Sequence, residues 1–288
     1  MTEHIVIVGP GRVGLSLGYA LLQVDAVGSL LYFGRRPEPP SHPIFNQGLA
    51  DYQYGLERPG PETTGVVLTV SDRVLHEVSM ALAARGAPPK GCPVLHTSGA
   101  WGADPLEPLH RAGYQVGTLH PLQSIANPLS GAERLTGSGF ALSGEPEALV
   151  FARRIIGALG GRGITVPVSQ RPLYHASAVF ASNFLVVLLR EAVRLFVEAG
   201  ASEDEAEQAL LALARGTLAN AGELGLDQAL TGPVKRGDVE TVALHLRTLD
   251  REGARLYALL GRRALDLSRE GLDPQSADSL EQLFDEAG

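Results

Sequence analysis

The sequence is short of the features that mark several protein classes. It holds one cysteine, Cys92, so no internal disulfide can form, and such a chain is expected in the reducing cytoplasm. It has no basic excess. Its 24 Lys and Arg face 32 Asp and Glu, a formal charge of −8, which argues against a nucleic-acid partner because such surfaces need a basic face. No run reaches the ~18 apolar residues of a membrane span. The longest, Ala176 to Leu189, is broken by Ser177, Ser182 and Asn183, so no membrane partner is expected. The start, Met1-Thr2-Glu3-His4, lacks the basic segment of a signal peptide. The histidines have no H-x-x-x-H spacing and no cysteine pair beside them, so no metal is expected. What remains, 44% hydrophobic and 19% charged residues over 288 positions, suits a folded globular chain of about two domains.

The first half alternates short β-branched runs with helical stretches. Strands are expected at Ile5–Val8, Leu30–Phe33, Val66–Val70, Val94–Thr97, Gln115–Leu119, Phe140–Leu142 and Ile164–Val168. Several are apolar throughout, as a sheet covered on both faces requires. Helices are expected between them, notably Val13–Leu22, Val74–Arg85 and Pro146–Leu159. This order predicts an α/β fold with a Rossmann-type, doubly wound parallel sheet. Six prolines between Pro37 and Pro61 interrupt it, and an irregular excursion is expected there. After Pro167 only helices are expected: Leu173–Glu198, Ser202–Glu223, Val239–Leu246, Arg251–Arg269 and Pro274–Asp285, with a capping box at Ser202–Glu205 and a stop at Gly200. The expected division is a dinucleotide-binding domain over 1–168 and an all-α domain over 169–288.

The strand His4-Ile5-Val6-Ile7-Val8 runs into Gly9-Pro10-Gly11-Arg12-Val13-Gly14 and then a helix. G-x-G-x-x-G between a strand and a helix is a dinucleotide-binding signal. The first glycine makes the tight turn, the second admits the pyrophosphate, the third lets helix and strand pack, and the helix N-terminus faces the phosphates. An NAD site places an acidic residue at the end of the second strand. Here Leu30-Leu31-Tyr32-Phe33 leads into Gly34-Arg35-Arg36. Guanidinium forks match a phosphate bidentately, so Arg35 and Arg36 point to the 2′-phosphate of NADP, unless they are solvated loop charges. Gly14-Leu15-Ser16-Leu17-Gly18 also matches the serine-hydrolase string, but Ser16 lies inside the helix rather than on a turn after a strand, so it is read as a chance match.

Ligands of open α/β sheets bind beyond the carboxyl ends of the strands. Those ends carry Ser71-Asp72, His96-Thr97-Ser98-Gly99 and His120-Pro121-Leu122-Gln123-Ser124. Ser71, Asp72 and Thr97 are expected along the cofactor, and Ser98, Gln123 and Ser124 near a substrate. His120 is either a proton donor or acceptor near neutral pH or a structural histidine. On the helix from Leu173, His175, Ser182, Asn183 and Arg190 share a face at ~100° per residue, ready for a substrate or for neighbouring helices. In Thr231–Asp238, Arg236 could hold a carboxylate, and Asp238 could assist or simply cap the next helix.

Together, Gly9–Gly14, His96–Gly99, His120–Ser124, Tyr174-His175 followed by Ser182-Asn183, and Gly232–Asp238 resemble a bacterial family with a Rossmann-like NADP-binding domain and a C-terminal helical domain of unknown function. More distantly the layout is similar to pyrroline-5-carboxylate reductase, ketopantoate reductase, prephenate dehydrogenase and the 6-phosphogluconate dehydrogenase group, whose C-terminal domain the all-α half is expected to resemble. The resemblance implies NAD(P)-dependent hydride transfer, a substrate between the domains, and a homodimer through the helical one. It also implies a lysine that is missing. The β-hydroxyacid dehydrogenase position holds Val179, and the nearer family's position holds Arg171, a poor proton donor. His120 or His175, with Asn183, is therefore expected to carry the proton chemistry. The substrate expected is a small carboxylated carbonyl or imine, for instance a 2-oxo acid such as ketopantoate. The other reading is an NADP-binding sensor or scaffold without turnover, separable by substrate-dependent NADPH oxidation.

Overall fold

The computed structural model describes residues 3–89 and 91–288. The chain divides into two compact units, Met1–Val186 and Val187–Gly288. The first carries strands β1 (Glu3–Val8), β2 (Val27–Gly34), β3 (Asp51–Tyr54), β4 (Gly65–Leu68), β5 (Pro93–His96), β6 (Gln115–Pro121), β7 (Gly139–Gly144) and β8 (Arg162–Thr165). Its helices are α1 (Arg12–Gln23), α2 (Pro43–Asn46), α3 (Asp72–Ala83), α4 (Glu107–Arg111), α5 (Pro128–Leu135), α6 (Pro146–Ala158) and α7 (Arg171–Ala181). The next helix, α8 (Asn183–Glu198), runs across the division. The sequence boundary after 168 falls before α7. The helix counts with the sheet, its Arg171 fully buried among residues of β6, of β7 and of the turn after β5.

The strands form one sheet in the order β3-β2-β1-β4-β5-β6-β7-β8. All pairs are parallel except β6–β7, an antiparallel exception to the expected parallel sheet. Apolar runs build both faces, because successive side chains point to opposite sides. Ile5 and Ile7 pack with Leu17, Leu21, Leu135 and Phe151 on one side, whereas Val6 and Val8 pack with Leu75, Leu82 and Leu109 on the other. Two glycines set the reversed pair: Gly117 faces Gly144, and a Cβ on Gly144 (φ +140) would collide with the backbone of Gly117.

Three expectations change. The Pro37–Pro61 stretch is not irregular throughout. It holds α2, whose first turn is capped by the His42 ring and carries the buried Ile44, and then β3, which pairs with β2. The long helix from Leu173 is broken at Ser182 into α7 and α8. The Ser182 hydroxyl donates to the Ala178 carbonyl at 2.9 Å, a back-bond that bends helices. Finally, the stretch Val168–Glu198 is long and apolar enough to cross a membrane by length and composition, with a mean hydropathy of 1.5 over its best window. Its polar breaks are too few to exclude it, as a strict run count had suggested. Only 6% of that window is buried.

The second unit holds α9 (Glu203–Leu224), α10 (Leu226–Ala229), α11 (Pro233–Arg236), α12 (Val239–Thr248), α13 (Arg251–Ser268) and α14 (Pro274–Ala287). The Ser202–Glu205 capping box forms in full. Val242, Leu265, Leu280 and Phe284 make its core, and Gly261 leaves room for the Phe284 ring.

Candidate active site

At the end of β1 the chain turns at Gly9, whose φ of +104° suits only glycine. The Gly9 N–H donates to the Phe33 carbonyl at 2.9 Å and the Gly11 N–H to the Gly9 carbonyl at 2.8 Å. Thr69, just past β4, donates its hydroxyl to the Gly9 carbonyl at 2.6 Å and so pins the turn; the sequence motif gave no hint of it. A Cβ on Gly14 would collide with the Gly9 carbonyl and the Thr69 hydroxyl. A Cβ on Gly11 would meet nothing within 4 Å. The loop is therefore closed against the sheet at Gly14 and open at Gly11, beside the first-turn N–H groups of Arg12, Val13 and Gly14, which have no partner within the helix. Ser16, two residues on, is buried and donates to the Pro128 carbonyl at 2.9 Å, tying α1 to α5.

Arg35 and Arg36 follow the end of β2 and are exposed. The Tyr52 hydroxyl donates to the Arg36 carbonyl at 2.5 Å and fixes that turn. Ser71 takes the N-cap position of α3 and Asp72 its first residue, both exposed. Thr97 is tied back to the Leu68 carbonyl by its N–H at 3.2 Å and its hydroxyl at 3.5 Å.

The chemistry-bearing groups converge around Arg171 at the start of α7. The guanidinium is fully buried and donates to neutral oxygens: the carbonyls of Ser98 (3.2 Å), Gly99 (3.4 Å) and Ala141 (3.4 Å), the Ser143 hydroxyl (3.2 Å) and the Thr118 hydroxyl. Ser98 is thus a buried support for Arg171 and, through its own hydroxyl, for the Trp101 N–H. One turn on, the Tyr174 hydroxyl lies 2.6 Å from His120 Nδ1, and the His120 and His175 rings stand edge to face at 5.8 Å. A Cβ at Gly99 would collide with His175 Nδ1 and lie 2.8 Å from His120 Nε2. His175 Nδ1 is itself buried without a partner. Burial pushes the His120 pKa down to about 4, helped by the nearby His175, Arg171 and His96. That shift favours the neutral ring at physiological pH. His96 is wholly structural: Nε2 donates to the Gly102 carbonyl at 2.6 Å, Nδ1 accepts the Ser98 N–H at 3.1 Å, and burial lowers its pKa to about 4.

Other expected contacts are engaged elsewhere. The Gln123 amide donates to the Arg134 carbonyl and the Ser138 hydroxyl, and its oxygen accepts the N–H of exposed Ser124, so Gln123 braces the loop before β7. Because of the break at Ser182, the stripe from His175 to Arg190 is not one continuous face. Ser182 bonds Asn183 at 3.1 Å, and Arg190 pairs with Glu203 at 2.5 Å. In the second unit Arg236 pairs with Asp238 at 3.0 Å, and Asp238 precedes α12 without a side-chain cap bond.

A mostly parallel sheet whose first strand delivers a G-x-G-x-x-G turn to a helix N-terminus, followed by an all-helical unit, defines a two-part chain of the Rossmann dinucleotide-binding type. Residues 3–121 match the family description Rossmann-like domain, and residues 138–264 match a domain of unknown function, DUF2520. No curated protein sequence matches. Among solved structures, the chain is similar to a protein of Thermotoga maritima (21% identity, TM-score 0.72, covering 93% of this chain and 99% of that one). It is also similar to a candidate NADP oxidoreductase of Bacteroides fragilis (22% identity, TM-score 0.70, covering 91% and 98%). A pyrroline carboxylate reductase of Plasmodium falciparum with NADP bound shares the fold at 10% identity and a TM-score of 0.59, covering 99% and 97%. These likenesses establish the Rossmann-plus-helical fold.

Proposed function

We propose that the chain is an NADP(H)-dependent oxidoreductase acting on a small carboxylated carbonyl or imine compound. The observation that carries this reading is the glycine loop, shut by steric contact at Gly14 and open at Gly11. That shape admits a pyrophosphate to the backbone while the first-turn N–H groups and the helix dipole attract its charge. Exposed Arg35 and Arg36 suit a 2′-phosphate. Bound there, the dinucleotide would supply or accept the hydride. The chain's own part is to orient both reactants and move a proton, for which His120, His175 and Tyr174 stand at the strand ends. The NADP-bound neighbour supports the cofactor, and the candidate oxidoreductase supports the class. A 2-oxo acid such as ketopantoate is the substrate to try first, with Ser124, Ser182 and Asn183 as its proposed polar partners.

A second copy of the chain is the proposed cover for the apolar helical surface. Leu173, Phe180 and Val186 are 71%, 70% and 66% exposed. The same stretch carries Arg190, Glu191 and Arg194 in ion pairs that suit an aqueous protein interface better than lipid. Light scattering should give twice the 30.4 kDa chain mass; a monomer that partitions onto vesicles would overturn the dimer.

The deciding experiment is titration with NADPH and with NADH, read by quenching of Trp101, the single tryptophan, while NADPH oxidation is followed over a panel of 2-oxo acids and cyclic imines. NADPH should bind more tightly than NADH, and Arg35→Asp should remove that preference, about tenfold or ~1.4 kcal/mol for one phosphate contact. Equal binding of both dinucleotides would overturn the NADP assignment. Tight binding with no turnover across the panel would favour a sensor.

A further inference from the structure

Resting on the oxidoreductase reading, we propose that Tyr174 and His120 form one proton-delivering unit, in which His120 Nε2–H protonates the reduced substrate and the Tyr174 hydroxyl restores that proton through Nδ1. Three features of the geometry carry this. The first is the 2.6 Å contact between the Tyr174 hydroxyl and His120 Nδ1, made at an edge-to-face ring angle that keeps both rings in place. A phenol is the stronger donor of the two, so Nδ1 accepts and the remaining ring proton sits on Nε2. The second is Nε2, which has no hydrogen-bond partner among the described residues and, unlike His175 Nδ1, is not sealed from solvent; it lies so close to Gly99 that a Cβ there would collide with it. The third is Arg171. Its buried guanidinium has only neutral oxygens around it, and its carbon lies 6.0 Å from the Tyr174 ring centroid.

A neutral imidazole cannot release a proton alone at physiological pH, because the imidazolate left behind is far too basic. Concerted replacement at Nδ1 removes that obstacle. As the hydride from the reduced nicotinamide adds to the carbonyl or imine carbon, the His120 Nε2–H bond breaks and an O–H or N–H bond forms on the substrate. The Tyr174 O–H bond breaks and an Nδ1–H bond forms. His120 ends neutral, in the other tautomer. Arg171 stabilises the phenolate left on Tyr174 until a water protonates Nε2 and the Nδ1 proton returns to the phenolate oxygen, which restores both groups and leaves hydroxide in solvent. Burial raises the Tyr174 pKa to about 12 even though the nearby Arg171 opposes the rise. His96, His175 and Arg171 all face His120, and each disfavours its cation, so the acid form that would make the relay unnecessary is suppressed. Tyr174 is then a catalytic residue only through His120, and Arg171 is the positioning residue beneath both.

The test uses the full chain labelled with ¹⁵N-histidine, His120 being assigned by its loss in His120→Gln. At neutral pH the His120 ring should show a protonated Nε2 and a hydrogen-bonded, unprotonated Nδ1, unchanged on acidification to about pH 5. Tyr174→Phe should shift Nδ1 toward its unbonded value and leave the other ring signals in place. A protonated Nδ1 in the wild type, or a His120 signal titrating between about pH 6 and 7, would overturn the proposal. With any panel compound that supports NADPH oxidation, Tyr174→Phe should lower kcat about 100-fold or more, in the range of general acid catalysis, with KM and Trp101 quenching by NADPH unchanged. A kcat within about threefold of wild type would also overturn it. If NADPH leaves Trp101 fluorescence unaltered, the oxidoreductase reading falls, while the ring spectra still decide whether Tyr174 and His120 are paired as stated.

Discussion

Acid should weaken the first unit as its buried histidines are driven to bind protons. His96 has no exposed surface and His120 is half-buried, and both pKa values are lowered to about 4. In the unfolded chain a histidine titrates near ~6.5. Below that point the unfolded state binds protons that the folded state refuses, so stability falls as pH drops from about 6.5 and levels off near the folded value of about 4. At about 1.4 kcal/mol per unit, His96 should remove about 2 kcal/mol between pH 7 and pH 4.5. Half-buried His120 should remove about 1 kcal/mol more once solvent screening is allowed for. The groups held below the usual carboxylate range, Glu191, Glu205, Asp250 and Asp273, lose their stabilising effect only as pH falls below the unfolded carboxylate value of about 4. The window above that value therefore isolates the histidines. Urea unfolding followed by Trp101, which lies in the first unit, should show a loss of about 3 kcal/mol between the two pH values. His96→Gln, whose amide can still donate to the Gly102 carbonyl, should cut that loss to about 1 kcal/mol. An unchanged urea midpoint in the wild type, or an undiminished loss in His96→Gln, would refute the reasoning.

Three further outcomes follow from contacts described above. Gly14→Ala places a methyl against the Gly9 carbonyl and the Thr69 hydroxyl, so NADPH binding measured by Trp101 quenching should weaken about 100-fold, ~2.7 kcal/mol, and unaltered affinity would contradict the closed loop. Arg171→Met leaves the carbonyls of Ser98, Gly99 and Ala141 without their donor and should destabilise the first unit by about 3 kcal/mol in thermal or urea unfolding; a neutral result would mean the guanidinium is not what seats α7. Ser16→Ala removes one buried bond to Pro128 and should cost about 1 kcal/mol while NADPH binding stays as in the wild type. Labelling of Ser16 by a serine-directed phosphonate would show that its burial has been misjudged.

The sheet was legible because its strands are apolar on both faces: every strand run read from the sequence is found, within a few residues. Strand β3 escaped because Asp51-Tyr52-Gln53-Tyr54 lies on the sheet's edge and needs no apolar run, and prolines on both sides hid it. The reversal of β7 was equally hidden, since strand direction is set by connection and pairing, not by composition. At the site, the glycine loop was fully readable. The histidines were readable as residues but not in protonation state, which depends on burial and on three neighbours distant in sequence. In the sequence Arg171 reads only as a residue standing where a lysine is implied. Its role in bracing the strand ends depends on contacts 28 to 73 residues away, which no local pattern reveals. The break at Ser182 had a signal, a serine able to bond four residues back, but that bond is silent until the helix is built.

Bare backbone opposes bare backbone where Gly117 meets Gly144, and this acts as an index mark for the whole edge that carries the candidate site. The same ladder brings Thr118 beside Ser143 and His120 beside Ala141, the positions from which Arg171 and Tyr174 are addressed. A slip along the strand would put a side chain where only hydrogen fits, so alignment is read from the strands themselves. The connection over residues 122–138 is thereby released from any duty to measure distance. Because closing a somewhat longer loop adds little entropy cost, that connection can lengthen or shorten while Thr118, His120, Ala141 and Ser143 keep their spacing.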